Sequence, residues 1–88
     1  MVEKVITIAN RAGVHARPSA LIVQTTKNFK SNIYFEKNSD RINAKSIMGI
    51  ITLGASYGTR INIIAEGEDE ELALDTLVKL FESKFEEE

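Results

Sequence analysis

The run Gly13-Val14-His15-Ala16-Arg17-Pro18, around which the chain is organised, contains its only histidine and its only proline. Glycine permits a tight backbone turn, and proline is tolerated in the first turn of a helix, where its missing N–H costs nothing. The run therefore predicts a corner at which a strand passes into a helix. We expect His15 to lie at or just before the first helical turn.

The N-terminus of the predicted helix combines features that favour the binding of phosphate. Helix N-termini present unpaired backbone N–H groups and the positive end of the helix dipole. Arg17 adds a forked donor that suits phosphate oxygens, and histidine forms covalent intermediates with transferring groups. We interpret His15 as a residue that accepts and releases a phosphoryl group. On the residues alone an alternative stays open, because a single histidine in a small domain is often just a partly exposed side chain.

Length and composition restrict the class of protein. The 88 residues are enough for one domain, residues 1–88, but too few for a buried catalytic cleft. Cysteine is absent, which excludes disulfides and thiolate metal sites, and one histidine cannot build the usual zinc site. We therefore expect no metal site and no cofactor. The apolar runs are too short for a membrane span and the start does not resemble a signal peptide, so we expect a cytoplasmic protein without membrane insertion.

The charge pattern argues against a nucleic-acid binder. The net charge is −2, which does not suit phosphate neutralisation, and the isolated Tyr34 and Tyr57 give no stacking platform. Acidic residues concentrate in 66–71 and 86–88, and we expect the last helix to fray at the second of these runs. Basic residues lie instead around the first predicted helix, where a shared face would steer an acidic partner. These are Arg11, Arg17, Lys27 and Lys30, with Lys45 further along the chain.

Hydrophobic periodicity divides the chain into seven elements in the order β-α-β-β-α-β-α. The predicted strands are 2–8, 33–36, 41–43 and 60–66, and the predicted helices are about 16–28, 46–53 and 69–85. The two middle strands form a hairpin, and Gly54 ends the short helix. Strands that alternate on two faces indicate an α+β fold, whose antiparallel sheet is open to solvent on one face and covered by helices on the other. The order alone leaves open which strands are neighbours.

Apolar positions within these elements identify the faces that we expect to be buried. In the strands they are Val2, Ile6 and Ile8, then Ile61, Ile63 and Ala65, with Asn62, Ile64 and Glu66 facing the other way. In the helices they are Pro18, Leu21, Ile22, Thr25 and Phe29, then Ile47, Ile50 and Ile51, and finally Leu74, Leu77, Val78, Phe81 and Phe85.

Ser46, at the start of the short helix, has two interpretations. Serine is a favoured N-cap, whose hydroxyl accepts a hydrogen bond from the second or third helical amide and contributes about 1 kcal/mol. A regulatory phosphoserine also fits, because a dianion is stabilised at a helix start. The residues alone favour the cap. Since Ile47 and Met48 are consecutive, one of them cannot face the core, and we expect Met48 either to form an exposed contact surface or to pack under a loop.

Two segments resemble the HPr family, the histidine-containing phosphocarriers of the bacterial sugar phosphotransferase system. Residues 12–18, Ala-Gly-Val-His-Ala-Arg-Pro, look like its active-site signature. Residues 45–50, Lys-Ser-Ile-Met-Gly-Ile, look like its regulatory serine segment in the form common in Gram-positive bacteria. Gly54 and the runs 58–59 and 65–70 also match in place and spacing. The resemblance covers essentially the whole chain.

The resemblance implies an open-faced β-sandwich, in which a four-stranded antiparallel sheet of order 1-4-2-3 carries three helices on one face. It implies a phosphoryl carrier rather than an enzyme. His15 accepts phosphate on Nδ1 from phosphorylated Enzyme I and passes it to a sugar-specific IIA component. Arg17 stabilises the charge of the transferring group. The implied phosphate-binding residues are Ala16, Arg17 and Pro18, with the amides of the first two forming a cradle.

The resemblance also implies that Ser46 is a target of HPr kinase/phosphorylase and that its phosphate weakens docking to Enzyme I. The implied partner-docking residues are Ala20, Gln24, Lys27, Ile47, Met48 and Ile51. Two alternatives remain: the nitrogen-related branch of the same fold, and a pure interaction module in which phosphorylated Ser46 binds a transcriptional regulator. Nothing in the sequence demands more than a monomer.

Three residues depart from the family pattern. Val14 stands where leucine is most common, and Ser19 stands where alanine is usual. Gln24 replaces a basic residue of many members, which weakens the expected steering of partners. His15 itself separates the chain from the non-phosphorylating relative that lacks this histidine.

Overall fold

The computed structural model describes residues 1–86, and this part of the chain contains four strands, three α-helices and a short 3₁₀ turn. The strands are β1 (Val2–Thr7), β2 (Asn32–Lys37), β3 (Asp40–Asn43) and β4 (Arg60–Glu66). The helices are α1 (Ala16–Thr26), α2 (Ile47–Leu53) and α3 (Glu70–Glu82), and the 3₁₀ turn is Lys84–Glu86. The predicted order of elements is confirmed. The expected fraying of 86–88 falls mainly on residues 87 and 88, which lie outside the described range.

The four strands form one antiparallel sheet in the order β1-β4-β2-β3. The order implied by the family resemblance is therefore confirmed. β4 is central, since it pairs with β1 through Ile6↔Ile61 and with β2 through Phe35↔Ile63. The predicted hairpin of β2 and β3 is also confirmed, with Asn38 at its turn in the left-handed region (φ 57°).

The helices cover one face of the sheet and enclose the core. The alternation predicted for β4 is confirmed, because Ile61, Ile63 and Ala65 are all buried. Opposite them, Phe81 of α3 lies edge-on against Phe35 of β2, with ring centroids 5.7 Å apart. Apolar side chains of this size each contribute about 1.5–3 kcal/mol when they leave water, so this layer holds the helices on the sheet.

The opposite face of the sheet is less open than the sequence predicts. Ile64 points away from the helices, as expected, but it is only 3% exposed. The register places it between Glu3 of β1 and Tyr34 of β2, and the Arg41 guanidinium lies 5.4 Å from the centre of the Tyr34 ring. Larger neighbours on both sides therefore shield an apolar residue that the alternating pattern assigns to solvent.

Two helices bury faces that differ from the predicted stripes. In α1, the buried residues are Pro18, Ser19, Ile22, Val23 and Thr26. Leu21 and Phe29 pack against the core but are only partly buried, and Thr25 is partly buried as well. In α2, Ile50 and Leu53 are buried, but Ile47 and Ile51 are 43% and 40% exposed. The helical spacing groups Ile47 and Ile51 with Ile50, but this two-turn helix touches the core only with the side that carries Ile50 and Leu53.

The last helix is shorter than predicted. α3 ends at Glu82 rather than at Phe85, and Lys84 and Phe85 then adopt left-handed backbone angles. Phe85 is nevertheless buried and packs edge-on against Phe81 with ring centroids 5.0 Å apart. Its apolar side chain fits the helical spacing, yet it reaches the core from the 3₁₀ turn.

Candidate functional site

The backbone turn before His15 is closed by the residues on its two sides. The Gly13 amide donates to the Asn10 carbonyl at 3.1 Å, and Asn10 Nδ2 donates back to the Gly13 carbonyl. Asn10 is 1% exposed, so this reciprocal pair is sheltered from water. The turn therefore holds its shape through local hydrogen bonds.

A second loop, residues 54–59 between α2 and β4, lies against the same turn. The Val14 amide donates to the Ala55 carbonyl at 2.8 Å. Gly13 has a φ of +72°, and a Cβ on it would lie 2.9 Å from that carbonyl oxygen. Both the backbone angle and the close approach require glycine here. The predicted tight corner is thus confirmed, and it is held by a loop whose bonded residue, Ala55, lies 41 positions after Val14.

His15 is the N-cap of α1. It has extended backbone angles (φ −116°, ψ −160°), and its side chain makes no capping hydrogen bond. Its carbonyl accepts the first helical bond, from the Ser19 amide at 2.9 Å. His15 is exposed, so its ring stands at the mouth of the helix. The predicted placement is confirmed, and its role as a phosphoryl acceptor stays a prediction.

Three further predicted residues lie in the first turn of α1. Ala16 and Arg17 are exposed, and their amides precede the first i→i−4 bond of the helix. Pro18 has no N–H and is buried. The two amides therefore point out of the helix mouth together with the positive end of its dipole. This arrangement can hold an anion beside the His15 ring.

Ser46 is the N-cap of α2. Its Oγ accepts a hydrogen bond from the Gly49 amide at 3.1 Å, and its carbonyl accepts from the Ile50 amide. The predicted capping role is confirmed. The predicted helix stop is also confirmed, since Gly54 takes the left-handed conformation (φ 68°) and donates to the Ile51 carbonyl. Phosphorylation of Ser46 stays a prediction.

The first two helices are tied together at both ends. Near the C-terminal end of α1, the buried Thr26 hydroxyl donates to the Ala44 carbonyl at 2.9 Å, and Lys45 Nζ donates to the Phe29 carbonyl at 2.8 Å. At the other end, Val14 is bonded to Ala55. With 11 residues, α1 is about 16 Å long. His15 and Ser46 therefore lie near opposite ends of one helix.

The residues expected to dock partners lie on the outside of α1 and α2. On α2, Met48 is 70% exposed, and Ile47 and Ile51 are each at least 40% exposed. The predicted exposure of Met48 is confirmed. On α1, the side chains of Gln24 and Lys27 are exposed and Ala20 is partly exposed. Because the two helices pack against each other, these residues belong to one layer of the molecule. Their binding role stays a prediction.

The basic residues around α1 do not form one free patch. Lys45 is engaged with the Phe29 carbonyl, and Lys30 Nζ lies 3.8 Å from Glu68. Lys27 is at the C-terminal end of α1, whereas Arg17 is in its first turn. Of the set that the sequence singles out, Arg11 and Arg17 are nearest to His15 along the chain.

The amino-acid sequence does not reveal the contacts that hold the site. Asn10 carries a weak local signal, because asparagine is common in turns, where its side chain bonds nearby backbone groups. The Ala55 carbonyl carries none, since any residue supplies the same backbone group. The structure was needed to find it.

The described part of the chain shows neither a metal-ligand cluster nor a membrane-spanning helix. Within residues 1–86, no three histidine, cysteine or acidic side chains are grouped so as to hold a metal ion. No helix in this range has the length and apolar character to span a bilayer.

Known proteins resemble this chain over most or all of its length. The family model described as "PTS HPr component phosphorylation site" matches residues 2–83. The phosphocarrier protein HPr of Treponema pallidum is 49% identical over 88 residues, and the match covers both chains completely. The HPr-like protein Crh of Bacillus subtilis is 44% identical over 77 residues, which cover 88% of this chain and 91% of Crh.

Solved structures of the same family superimpose closely. A crystal structure described as HPr-C-His, from Thermoanaerobacter tengcongensis, matches with a TM-score of 0.97 and 55% identity, covering 100% of this chain and 99% of that one. A second structure from that organism, described as an HPr dimer, has a TM-score of 0.78 and 54% identity, covering 97% and 98%. The chain therefore belongs to the HPr family, the phosphocarrier proteins of the bacterial phosphotransferase system.

Proposed function

We propose that this chain carries a phosphoryl group on His15, which it accepts from phosphorylated Enzyme I and passes to sugar-specific IIA components. The observation that carries the proposal is the position of His15 as an exposed N-cap whose side chain takes no part in capping. Most N-cap side chains bind the first helical amides. Here the His15 side chain does not cap the helix, so the amides of Ala16 and Arg17 face a phosphoryl group bound to the imidazole.

The geometry supports both holding and releasing the group. In the accepting step, a bond forms between His15 Nδ1 and phosphorus while the bond from phosphorus to the donor breaks, and the delivering step is the reverse with a new acceptor. The amides of Ala16 and Arg17, the helix dipole and the Arg17 guanidinium stabilise the charge on the phosphoryl oxygens. Since His15 is exposed rather than enclosed, two different partners can reach it in turn.

We further propose that phosphorylation of Ser46 by HPr kinase/phosphorylase regulates this exchange. The Ser46 Oγ already faces the amide end of α2 through Gly49, where a dianion is stabilised. The exposed Ile47 and Met48 follow immediately. A phosphate at Ser46 therefore adds charge beside the apolar residues proposed to contact Enzyme I, and docking weakens through desolvation of that charge.

A carrier of the nitrogen-related branch is one alternative to a role in sugar transport. A second candidate function is a regulatory module in which phosphorylated Ser46 binds a transcriptional regulator. The observations that favour this module are the similarity to the HPr-like protein Crh and the exposed apolar pair directly beside Ser46. In such a module, sugar transport is not the main role and His15 is incidental.

Phosphate labelling separates a phosphocarrier from the regulatory module. Incubation of the protein with phosphoenolpyruvate and Enzyme I is expected to give an acid-labile phosphate on His15, visible by phosphorus NMR, and His15→Ala is expected to abolish the label while the circular dichroism spectrum is unchanged. In a parallel incubation with HPr kinase/phosphorylase and ATP, an acid-stable phosphate at Ser46, together with no labelling of His15 by Enzyme I, supports the regulatory module. Label that persists in His15→Ala contradicts the carrier assignment.

We also propose that the protein works in the cytoplasm as a monomer. The docking surface and the helix mouth of the proposed mechanism are both formed by one chain. Light scattering of the purified protein checks the oligomeric state, for which the relative described as a dimer provides a reference.

A further inference from the structure

The loop of residues 54–59 also supports the active-site turn directly. Its second residue, Ala55, accepts the hydrogen bond from the Val14 amide at 2.8 Å, one residue before His15. Any movement of the Ala55 carbonyl therefore changes the backbone that carries the imidazole. What holds this carbonyl in place also holds His15.

Thr59 stabilises that loop through hydrogen bonds to another of its residues, Ser56. Its Oγ1 accepts a hydrogen bond from the Ser56 amide at 3.1 Å and lies 3.1 Å from the Ser56 hydroxyl. Its own amide donates to the Ser56 carbonyl at 3.0 Å. Residues 56–59 thus form a closed turn whose side-chain contribution comes from the Thr59 hydroxyl.

Thr59 also fixes the loop to the strand from which the His15 turn departs. The Ile8 amide donates to the Thr59 carbonyl at 2.8 Å, and the Gly58 amide donates to the Ile8 carbonyl at 2.9 Å. The backbone segments 8–14 and 55–59 are therefore joined by hydrogen bonds at both ends, Val14 to Ala55 at one end and Ile8 to Gly58 and Thr59 at the other. Together they form a closed ring. We call this set of contacts the anchoring ring.

We propose that Thr59 is a positioning residue for His15, and that its hydroxyl sets the rate of phosphoryl transfer by fixing the anchoring ring. This inference rests on the proposed role of His15 as the phosphoryl acceptor. Thr59 does not belong to the set of residues proposed to contact a partner, and it acts only through Ser56, Ala55 and Val14.

The physical reason is that phosphoryl transfer depends on placement. The protein contributes mainly orientation and charge stabilisation, and a small displacement of the accepting nitrogen reduces the rate strongly. The residues proposed to dock partners lie on α1 and α2, outside the anchoring ring. Loosening the ring is therefore expected to lower kcat and to leave the KM for Enzyme I nearly unchanged.

The test compares Thr59→Val with Thr59→Ser. Valine keeps the branched shape and removes the acceptor of the Ser56 amide, whereas serine keeps the hydroxyl. In Thr59→Val we expect the Val14 amide to exchange with deuterium about tenfold faster and kcat for labelling by phosphorylated Enzyme I to fall about tenfold. We expect the KM to change less than about twofold, and Thr59→Ser to restore both the exchange rate and kcat.

Thr76→Val is the matched control, because it removes a hydroxyl that donates to the Leu72 carbonyl in α3. It is expected to leave Val14 exchange and kcat at the wild-type values. Unchanged Val14 exchange and kcat in folded Thr59→Val overturn the inference, as does an equal loss in Thr76→Val. The wild-type protein separates the two proposals: if it is not labelled at His15 the proposed function fails, whereas normal labelling with unaffected Thr59→Val refutes only the positioning role.

Discussion

The carboxylate of Asp69 accepts hydrogen bonds from both the amide and the hydroxyl of Ser31, a residue 38 positions earlier in the chain. Its other oxygen accepts from the Lys30 amide at 2.9 Å. Asp69 is the N-cap residue of α3, yet its side chain makes no cap for its own helix. It instead fixes the loop after α1 to the start of α3. The Ser31 hydroxyl, followed by the Lys30 amide, lowers the pKa of Asp69 from 3.8 to about 2.

This lowered pKa predicts how stability depends on acid. Because the ionised carboxylate is favoured in the folded protein, its contribution is complete above the unfolded pKa of 3.8. As the pH falls from about 4 to about 2, the unfolded chain takes up the proton more readily than the folded one, and the contribution disappears. The pKa of Glu70 is lowered as well, mainly by the Gly67 amide, which acts in the same direction. Urea unfolding followed at a series of pH values measures the effect.

The variant Asp69→Asn tests whether this carboxylate causes the loss of stability in acid. The amide side chain keeps the shape but cannot carry the charge, so the free energy of unfolding at pH 7 is expected to fall. Between pH 4 and pH 2 the variant is expected to lose less stability than the wild-type protein. Equal pH dependence of the two proteins in this range would show that the Ser31 contact does not govern acid unfolding.

Glycine substitutions test the close approach at the active-site turn. Gly13 and Gly58 both have positive φ, but a Cβ on Gly13 meets the Ala55 carbonyl, whereas a Cβ on Gly58 has nothing within 4 Å. Gly58→Ala therefore reports the cost of the backbone angle, about 1 kcal/mol of unfolding free energy. Gly13→Ala is expected to cost about 2 kcal/mol or more and also to slow labelling of His15. Equal losses in the two variants would contradict a steric role of Ala55.

The sequence was sufficient for the placement of His15 and Ser46, because both positions depend on local rules. Proline in the first turn and serine before a short apolar helix are signals that act over a few residues. The same holds for the left-handed Gly54 that ends α2. The neighbouring strands were known only through the family resemblance, since the order of elements does not determine which strands pair.

What the sequence could not predict involves contacts between distant residues. Asp69 matches the acidic opening of a helix, and nothing local indicates that Ser31 takes its carboxylate. Phe85 continues the helical spacing of α3, although the backbone leaves the helix at Glu82. The spacing of apolar residues indicates which side chains will be buried. Where a helix ends depends instead on the packing of those side chains against the rest of the core. For the same reason, Ile47 falls on the helical spacing of the apolar residues in α2 and is nevertheless exposed.

Arg17 is predicted to act on the transferring group rather than on the fold. It is exposed in the first turn of α1, so Arg17→Ala is expected to leave the circular dichroism spectrum and the unfolding midpoint unchanged. Loss of one charge-stabilising donor is expected to slow labelling of His15 about tenfold to a hundredfold. The control is Arg41→Ala, which removes an arginine that pairs with Glu36 on β2. Unaltered transfer kinetics in Arg17→Ala would remove its proposed role.

Two substitutions at Ser46 separate its capping role from its regulatory role. Ser46→Ala removes the acceptor for the Gly49 amide and is expected to lower the free energy of unfolding by about 1 kcal/mol. Ser46→Asp keeps an acceptor and adds a negative charge, so it is expected to remain as stable as the wild-type protein and to raise the KM for Enzyme I. If KM is the same in Ser46→Asp and the wild-type protein, Ser46 is only a helix cap.

Met48 provides the most direct test of the docking surface. Its side chain is 70% exposed, and truncating an exposed side chain changes stability by less than about 0.5 kcal/mol. In a protein interface, an apolar side chain of this size that becomes buried contributes enough for its loss to raise the KM for Enzyme I about tenfold. Leu72→Ala is the control, because Leu72 is 62% exposed but lies on α3. A docking surface on α1 and α2 requires that Met48→Ala raises the KM while Leu72→Ala does not. Equal KM values for the two variants would place the contact elsewhere.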